Sequence, residues 1–219
     1  IVIDHNSKKS DLEQIKKQLN KSSFENSIIP LDVDEFSNNI KKVNAKNEKV
    51  TENQMSNMLN IHKSLLTARD QCNDLVYFIE DDYLHNQDAI NEMVFTYERI
   101  SSQINRELIL CPVDYPYLYT KIEPTNIFLG SNKHWRRVEE TLCTFCTSKI
   151  ILQKYWNKFI SMCQFEHYPF EQPLHDIYKA EYCLSPIPSL AIHCTNVNSI
   201  FGLSPNLDWK KIWEENKDY

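Results

Sequence analysis

Residues 75–83 of this chain read Leu75-Val76-Tyr77-Phe78-Ile79-Glu80-Asp81-Asp82-Tyr83. The first five are apolar and rich in β-branched and aromatic types, which predicts a central strand buried on both faces. Three carboxylates follow it directly. They repel one another and lose hydration when packed together, so the arrangement is costly unless a cation neutralises it. Carboxylate oxygens suit a hard ion such as Mg²⁺ or Mn²⁺, which also binds the phosphates of a substrate.

The alternative for these three acids is a solvated turn after a strand, and an isolated Glu-Asp-Asp favours that alternative. The metal hypothesis therefore depends on partners elsewhere in the chain. A net charge of −6 argues against nucleic acid as a main partner, since phosphate backbones need a basic surface.

Length and composition favour one folded domain over residues 1–219, with 42% hydrophobic residues to form a core. No apolar run is long enough to span a bilayer, and no secretory signal is visible. The seven cysteines lie mostly in apolar segments, which is typical of reduced thiols and predicts a cytoplasmic protein.

The cysteines raise the question of a zinc site. Cys143-x-x-Cys146 has the spacing of half a zinc site, which His193-Cys194 would complete. The same segment also alternates as a strand does, and the second half lacks the matching spacing. We therefore favour a strand over a metal site there.

The chain contains only two glycines, Gly130 and Gly202. A dinucleotide-binding fingerprint and a Walker-type phosphate loop each need glycines close together. Neither can be built here. A nucleoside diphosphate would have to be held through a metal ion and side chains.

Strands and helices alternate along the first part of the chain. Apolar stretches predict strands at Ile1–Ile3, 27–31 and 75–79, and helical spacing predicts helices after Ser10 and after Thr51. This order predicts a parallel sheet with right-handed crossovers and flanking helices. Ligands of such sheets bind beyond the carboxyl ends of the strands. Glu80-Asp81-Asp82 and Asp4-His5-Asn6 both follow strands in this way.

Several segments, taken in order, resemble one known family. They are the first strand with its polar loop, Phe78 to His85, His134-Trp135-Arg136 with Thr141 to Thr147, His175-Asp176, and Ser185 to His193. Together they resemble the GT-A glycosyltransferases of the Asp-x-Asp class, especially small bacterial and viral sugar transferases. The resemblance spans nearly the whole chain, and it implies a GT-A-like α/β fold with a mixed, mostly parallel sheet flanked by helices.

The resemblance also implies an activity. It implies transfer of a sugar from a nucleotide-sugar donor to an acceptor hydroxyl of a glycan or other molecule, with Mn²⁺ or Mg²⁺ as cofactor. Inversion at the anomeric centre and a role in surface glycan or polysaccharide synthesis are carried over with it. No nucleic acid and no transmembrane segment are expected.

Residue roles follow from the same resemblance. The metal ligands would be Asp82 and His193, and the catalytic base would be Asp176. The donor contacts would be Asp4, His5, Asn6, Asp32, Glu80, Asp81 and Arg136.

Each role has an alternative. A histidine after an apolar strand, such as His193, is usually a core residue. Asp176 could be a carboxylate favoured by the start of a helix, and Glu171 competes with it as the base. The sequence does not choose between Arg136 and Arg137 as the phosphate contact, and either could pair with Glu139 or Glu140 instead.

Two other functions compete with the glycosyltransferase. A nucleotidyltransferase of sugar activation uses a related sheet, but it normally needs a glycine-rich loop near the first strand, and residues 4–10 contain no glycine. The other rival is a non-catalytic carbohydrate- or partner-binding domain in which the acids hold a structural cation.

Overall fold

The computed structural model describes residues 1–32, 34, 41–44, 46–164, 171–195 and 207–217. Its α-helices are α1 (Lys9–Leu19), α2 (Glu52–Gln71), α3 (Ala89–Ile104), α4 (Lys149–Lys154), α5 (Trp156–Ser161), α6 (Gln172–Ala180) and α7 (Trp209–Asn216). Its strands are β1 (Val2–Asp4), β2 (Ile28–Pro30), β3 (Leu75–Phe78), β4 (Tyr83–His85), β5 (Leu108–Leu110), β6 (Ile127–Leu129), β7 (His134–Arg137), β8 (Phe145–Ser148), β9 (Tyr182–Ile187) and β10 (Ala191–His193). A 3-10 turn covers Pro116–Tyr119. The polar, Asn/Lys-rich stretch from residue 34 to residue 49 predicts a long loop, and its positions 35–40 and 45 lie outside the described residues.

The chain forms two compact units. The first comprises Ile1–Gln71 and Trp156–Pro173, and the second comprises Cys72–Tyr155 and Leu174–Asp218. The expectation of a single domain over residues 1–219 stays a prediction.

The first unit is built on a β-α-β element. Strands β1 and β2 pair in parallel, with Ile3 opposite Ile29, and α1 connects them. Helix α2 buries Met58 and Leu59, which pack with Leu31 and with the half-buried Ile3. The predicted helix after Thr51 is therefore confirmed, and its apolar face forms the core of this unit.

The second unit contains a six-stranded sheet in the order β3-β8-β5-β9-β7-β6. Only β5 and β9 are parallel neighbours within it. Strand β8 is antiparallel to both β3 and β5, so β3, β5 and β9 all run in the same direction. Strands β4 and β10 form a separate antiparallel pair.

The α/β class with a mixed sheet and flanking helices is confirmed, but the expected mostly parallel sheet is wrong. Of the seven strand pairs in the described chain, two are parallel. For β6 and β7 the reason is connection length, because a parallel pair needs a crossover of a dozen or more residues and these two strands are joined by residues 130–133 alone. The other antiparallel neighbours are far apart in the sequence, and no short connection sets their direction. The sequence pattern did not identify β7 as a strand.

The expected position of β3 is also wrong. It is the first strand in the order of the six-stranded sheet rather than a central one, and all four of its residues are only half-buried. Every residue of β5 and of β8 is buried instead.

The core of the second unit lies between the sheet and α3. Met93, Tyr97 and Ile100 on that helix pack against Leu108, Leu110 and Trp135 of the sheet. Helical spacing predicts Ile90 on the same buried face, but 59% of this residue is exposed.

A buried carboxylate joins α3 to the β6–β7 turn. Glu92 is 4% exposed, and its Oε1 accepts hydrogen bonds from Thr96 Oγ1 at 3.0 Å and from Trp135 Nε1 at 3.3 Å. The backbone N–H of Asn132 donates to Oε2 at 2.8 Å. Several donors thus compensate the burial of this acid without a cation among these contacts.

The turn approaches α3 so closely that it requires glycine. A Cβ at Gly130 would lie 2.4 Å from both Thr96 Oγ1 and Trp135 Nε1. We expect Gly130→Ala to lower the free energy of unfolding by about 1–3 kcal/mol, the usual cost of overpacking. Urea unfolding measures this, with Ser131→Ala as the control from the same turn. Equal stability of the two variants would contradict the close approach.

All seven cysteines are free thiols. Cys143 and Cys146 are buried; Cys146 lies within β8, as the strand interpretation predicted, whereas Cys143 precedes the strand. Within the described ranges, no helix is both long enough and apolar enough to cross a membrane.

Candidate functional site

Several polar side chains of the second unit follow the carboxyl ends of strands in the six-stranded sheet, and we call this end of the sheet its carboxyl edge. Because β3, β5 and β9 run the same way, their carboxyl ends share that edge. Glu80, Asp81 and Asp82 follow β3, Asp114 follows β5, and Ser189 follows β9. The Oγ of Ser189 accepts a hydrogen bond from the Asp114 backbone N–H at 2.8 Å, which ties two of these strand ends together.

Asp82 and His193, the two predicted metal ligands, lie in contact. The Asp82 Oδ2 to His193 Nε2 distance is 3.0 Å. Strands β4 and β10 produce this contact, because His193 pairs with Tyr83 in the register. The backbone N–H of Cys194 then donates to the Asp82 carbonyl at 2.7 Å, so the ladder extends to Asp82 itself.

The geometry of this pair fits two ligands of one cation. With metal–ligand bonds of about 2.1 Å, neighbouring ligands of an octahedral ion lie about 3.0 Å apart. The imidazole would bind in the tautomer that carries its proton on Nδ1. The side chains are 32% exposed for Asp82 and 11% exposed for His193, so the carboxylate remains open to solvent and ligand.

The protein would supply few of the ligands. In the part of the chain that the structure describes, no group of three or more His, Cys, Asp or Glu side chains is placed to hold a metal ion. Two protein ligands are still compatible with Mg²⁺ or Mn²⁺, because a hard ion of this kind keeps waters and binds substrate phosphates. Burial and the Asp82 carboxylate raise the pKa of the Cys194 thiol, which keeps it neutral at pH 7.

We expect His193→Ala to weaken binding of Mn²⁺ by ~10–100-fold, the usual cost of losing support at a metal site. Isothermal titration with Mn²⁺ measures the change. The matched control is His175→Ala, because His175 is 9% exposed, as His193 is, but bonds to the Thr141 carbonyl. If His193→Ala lowers the free energy of unfolding but binds Mn²⁺ with normal affinity, His193 is a core residue and not a ligand.

Glu80 and Asp81, the other two acids after β3, have surroundings that differ from those of Asp82. The Thr144 hydroxyl donates to Glu80 Oε2 at 3.2 Å and accepts from the Glu80 backbone N–H at 3.0 Å. Thr144 immediately precedes β8, the neighbour of β3, so this contact depends on strand pairing and had no sequence signal. Asp81 is exposed. The predicted donor contacts of Glu80 and Asp81 stay predictions.

Asp114 was not among the predicted site residues; it lies beyond the carboxyl end of β5 and is 1% exposed. Its Oδ1 accepts from Arg136 Nη2, and its Oδ2 accepts from the Tyr119 hydroxyl. The Arg136 guanidinium also lies 4.2 Å from the centre of the Tyr119 ring. Burial raises the pKa of Asp114, while the Tyr119 hydrogen bond and the Arg136 charge oppose that rise.

The structure separates the two neighbouring arginines. Arg136 pairs with Asp114 rather than with Glu139 or Glu140 and is 8% exposed, whereas Arg137 donates to the Lys179 carbonyl at 3.2 Å. Only Arg136 therefore belongs to this edge. Its role as a donor contact stays a prediction, since its guanidinium is already held by a buried carboxylate.

The predicted base, Asp176, lies on the exposed side of α6. Helix α6 begins at Gln172, so Asp176 is in its second turn rather than at its start. Its buried neighbour His175 bonds to the Thr141 carbonyl at 3.0 Å, and this bond anchors the helix. Glu171, the competing base, directly precedes the helix. The choice between the two stays open.

The polar loop after β1 belongs to the first unit. His5 and Asn6 line an open cleft of about 410 Å³, and His5 Nδ1 lies 2.5 Å from Ser56 Oγ on α2. Asn6 has a φ of 61°, a left-handed conformation that asparagine tolerates. Asp4 was predicted as a donor contact, and its backbone carbonyl accepts a hydrogen bond from the Leu31 N–H at 2.7 Å.

The side of this cleft formed by α2 was not predicted. Asn53, Asn57 and Asn60 line it from α2, and their spacing of four and three residues is that of one helix face. That spacing was a usable signal. Asp32 Oδ1 accepts from the Asp34 N–H at 2.9 Å, and Asp32 is not among the residues that line this cleft.

A scan of the chain against models of known protein families, a search of curated proteins and a search of solved structures each found no match.

Proposed function

We propose that this chain is a metal-dependent glycosyltransferase that moves a sugar from a nucleoside-diphosphate donor to an acceptor hydroxyl. The observation that carries the proposal is the 3.0 Å contact between Asp82 and His193 at the carboxyl edge of the sheet. The two residues are separated by 111 positions in sequence, and both were expected to be metal ligands. A GT-A-like fold, inversion and a role in surface glycan or polysaccharide synthesis are the finer parts of this proposal.

Each residue has a stated task. Asp82 and His193 would hold Mn²⁺ or Mg²⁺, which when bound supplies positive charge to the diphosphate leaving group. Asp176 would accept the proton of the acceptor hydroxyl as the new bond forms. Asp114 and Tyr119 hold Arg136 in place. Asp4, His5, Asn6, Asp32, Glu80, Asp81 and Arg136 stay proposed donor contacts.

A thermal-shift panel tests the proposal. Nucleoside diphosphates and nucleotide sugars should raise the Tm only when Mn²⁺ or Mg²⁺ is present, because the diphosphate would bind through the metal. An equal shift in the presence of EDTA would contradict it. A shift caused by the cation with no further effect of nucleotide would instead favour the non-catalytic domain.

A transfer assay separates the two enzyme classes. A glycosyltransferase releases a nucleoside diphosphate from a nucleotide sugar when acceptor is added. A nucleotidyltransferase releases pyrophosphate from a nucleoside triphosphate and a sugar phosphate. Release of pyrophosphate alone would overturn the proposed reaction.

A further inference from the structure

The His193 ring is held by an aromatic side chain as well as by Asp82. Tyr83 lies directly opposite His193 in the β4–β10 ladder, so their side chains share one face. The two rings are stacked, with centroids 4.8 Å apart and an interplanar angle of 23°. Reorientation of the imidazole would therefore require the Tyr83 ring to move.

The Tyr83 ring is in turn held at its far end. Its hydroxyl lies 2.6 Å from the Tyr115 hydroxyl. Tyr115 is 1% exposed and stacks on Tyr117 at 5.5 Å. One of the two hydroxyls donates a hydrogen bond to the other.

The support continues into the buried ion pair. Tyr115 follows Asp114 in the chain, and Asp114 is fixed by Arg136 and Tyr119. A continuous set of contacts therefore runs from the end of β5 through Tyr115 and Tyr83 to the imidazole.

We propose that Tyr83 and Tyr115 are positioning residues that orient the His193 imidazole toward Asp82 for cation binding. This inference rests on the proposed function, because it assigns a purpose to the pair within the same site. The hydroxyl bond matters because it is directional and fixes the far end of the Tyr83 ring, whereas the packing of this ring against Val113 and Ala191 is not directional. Without that bond the ring can shift, and the stacked imidazole can follow it. Neither tyrosine needs to contact the cation.

The test removes one hydroxyl at a time. Tyr83→Phe and Tyr115→Phe keep both rings and break the same hydrogen bond. We expect each variant to weaken Mn²⁺ binding by about tenfold in the absence of nucleotide, the low end of the usual cost of lost outer support. The double variant should lose no more than either single variant, because the two hydroxyls make one bond.

Tyr97→Phe is the matched control. Tyr97 is also buried, and its hydroxyl donates to Glu107 Oε2 at 2.6 Å and accepts from the Leu108 N–H, at the amino end of β5. This variant should lose stability, as the two test variants do, but keep wild-type Mn²⁺ affinity. If Tyr83→Phe and Tyr115→Phe behave like Tyr97→Phe in both respects, the positioning role is wrong.

A second readout does not need the metal. In the metal-free protein the imidazole Nε2–H donates to Asp82, since a carboxylate accepts. NMR of that proton should show a protected signal that broadens in Tyr83→Phe and Tyr115→Phe but not in Tyr97→Phe. An unchanged signal would overturn the inference. Failure of the wild-type protein to bind Mn²⁺ would overturn the proposed function, while this signal would still decide whether the tyrosines position His193.

Discussion

Asp82→Ala is expected to abolish metal-dependent nucleotide binding while leaving the protein folded. Asp82 and His193 are the two side chains whose contact fits a shared cation, so losing the carboxylate leaves one neutral ligand. A single imidazole does not offset the charge of a divalent ion that must also bind a diphosphate. The fold should survive, because the Asp82 side chain is partly exposed and its backbone bond to Cys194 does not need the carboxylate.

The measurement is the Tm shift caused by a nucleoside diphosphate with and without Mn²⁺, together with far-UV circular dichroism. Asp74→Ala is the control, since Asp74 is an exposed carboxylate just before the amino end of β3, the strand that Asp82 follows. The control should keep the full metal-dependent shift. If Asp82→Ala also keeps it, the metal site has been assigned to the wrong residue.

Asp176→Asn is expected to lower turnover by at least ~10²-fold with little change in donor affinity, a usual contribution of a general base. The amide keeps the shape of the side chain but cannot accept a proton. Asp176 is exposed on α6, so an acceptor can reach it, and the buried residues on either side of it hold the helix. The effect should therefore appear in kcat rather than in the binding of the donor.

Glu171→Gln distinguishes between Asp176 and Glu171 as the catalytic base. Glu171 precedes α6, and the same change of acid to amide tests it under identical conditions. We expect this variant to retain turnover. Near-normal turnover in Asp176→Asn would contradict its role, and loss of activity in Glu171→Gln alone would move the base to that residue.

Local patterns in the sequence predicted most of the individual elements. The apolar run before Glu80 predicted β3, and helical spacing after Thr51 predicted α2. Ser148, just before a stretch with helical apolar spacing, is typical of a helix N-cap, and its Oγ accepts the Ile151 N–H at 3.2 Å. These features are predictable because periodicity and capping depend on residues only a few positions apart.

Strand pairing was not predictable in the same way. The direction of β8 and the presence of β7 depend on partners far along the chain, and an alternating or apolar strand looks the same in a parallel or an antiparallel pair. The sequence therefore predicted a strand tip with three acids but placed it at the centre of a parallel sheet, where the structure has a half-buried strand in a mixed sheet.

The candidate site also has features that local patterns indicated and features that only the tertiary structure shows. The run of acids after β3 indicated Asp82 as a candidate ligand, whereas His193 was a candidate ligand only through the resemblance to a known family. The 3.0 Å distance between them, the Asp114–Arg136 ion pair and the Tyr83–Tyr115 hydroxyl bond were absent from any local pattern. Each of these contacts joins residues at least 22 positions apart. They form only when strands far apart in the chain come together, since β4 pairs with β10 and the segment after β5 meets Arg136 of β7 and Tyr83 of β4.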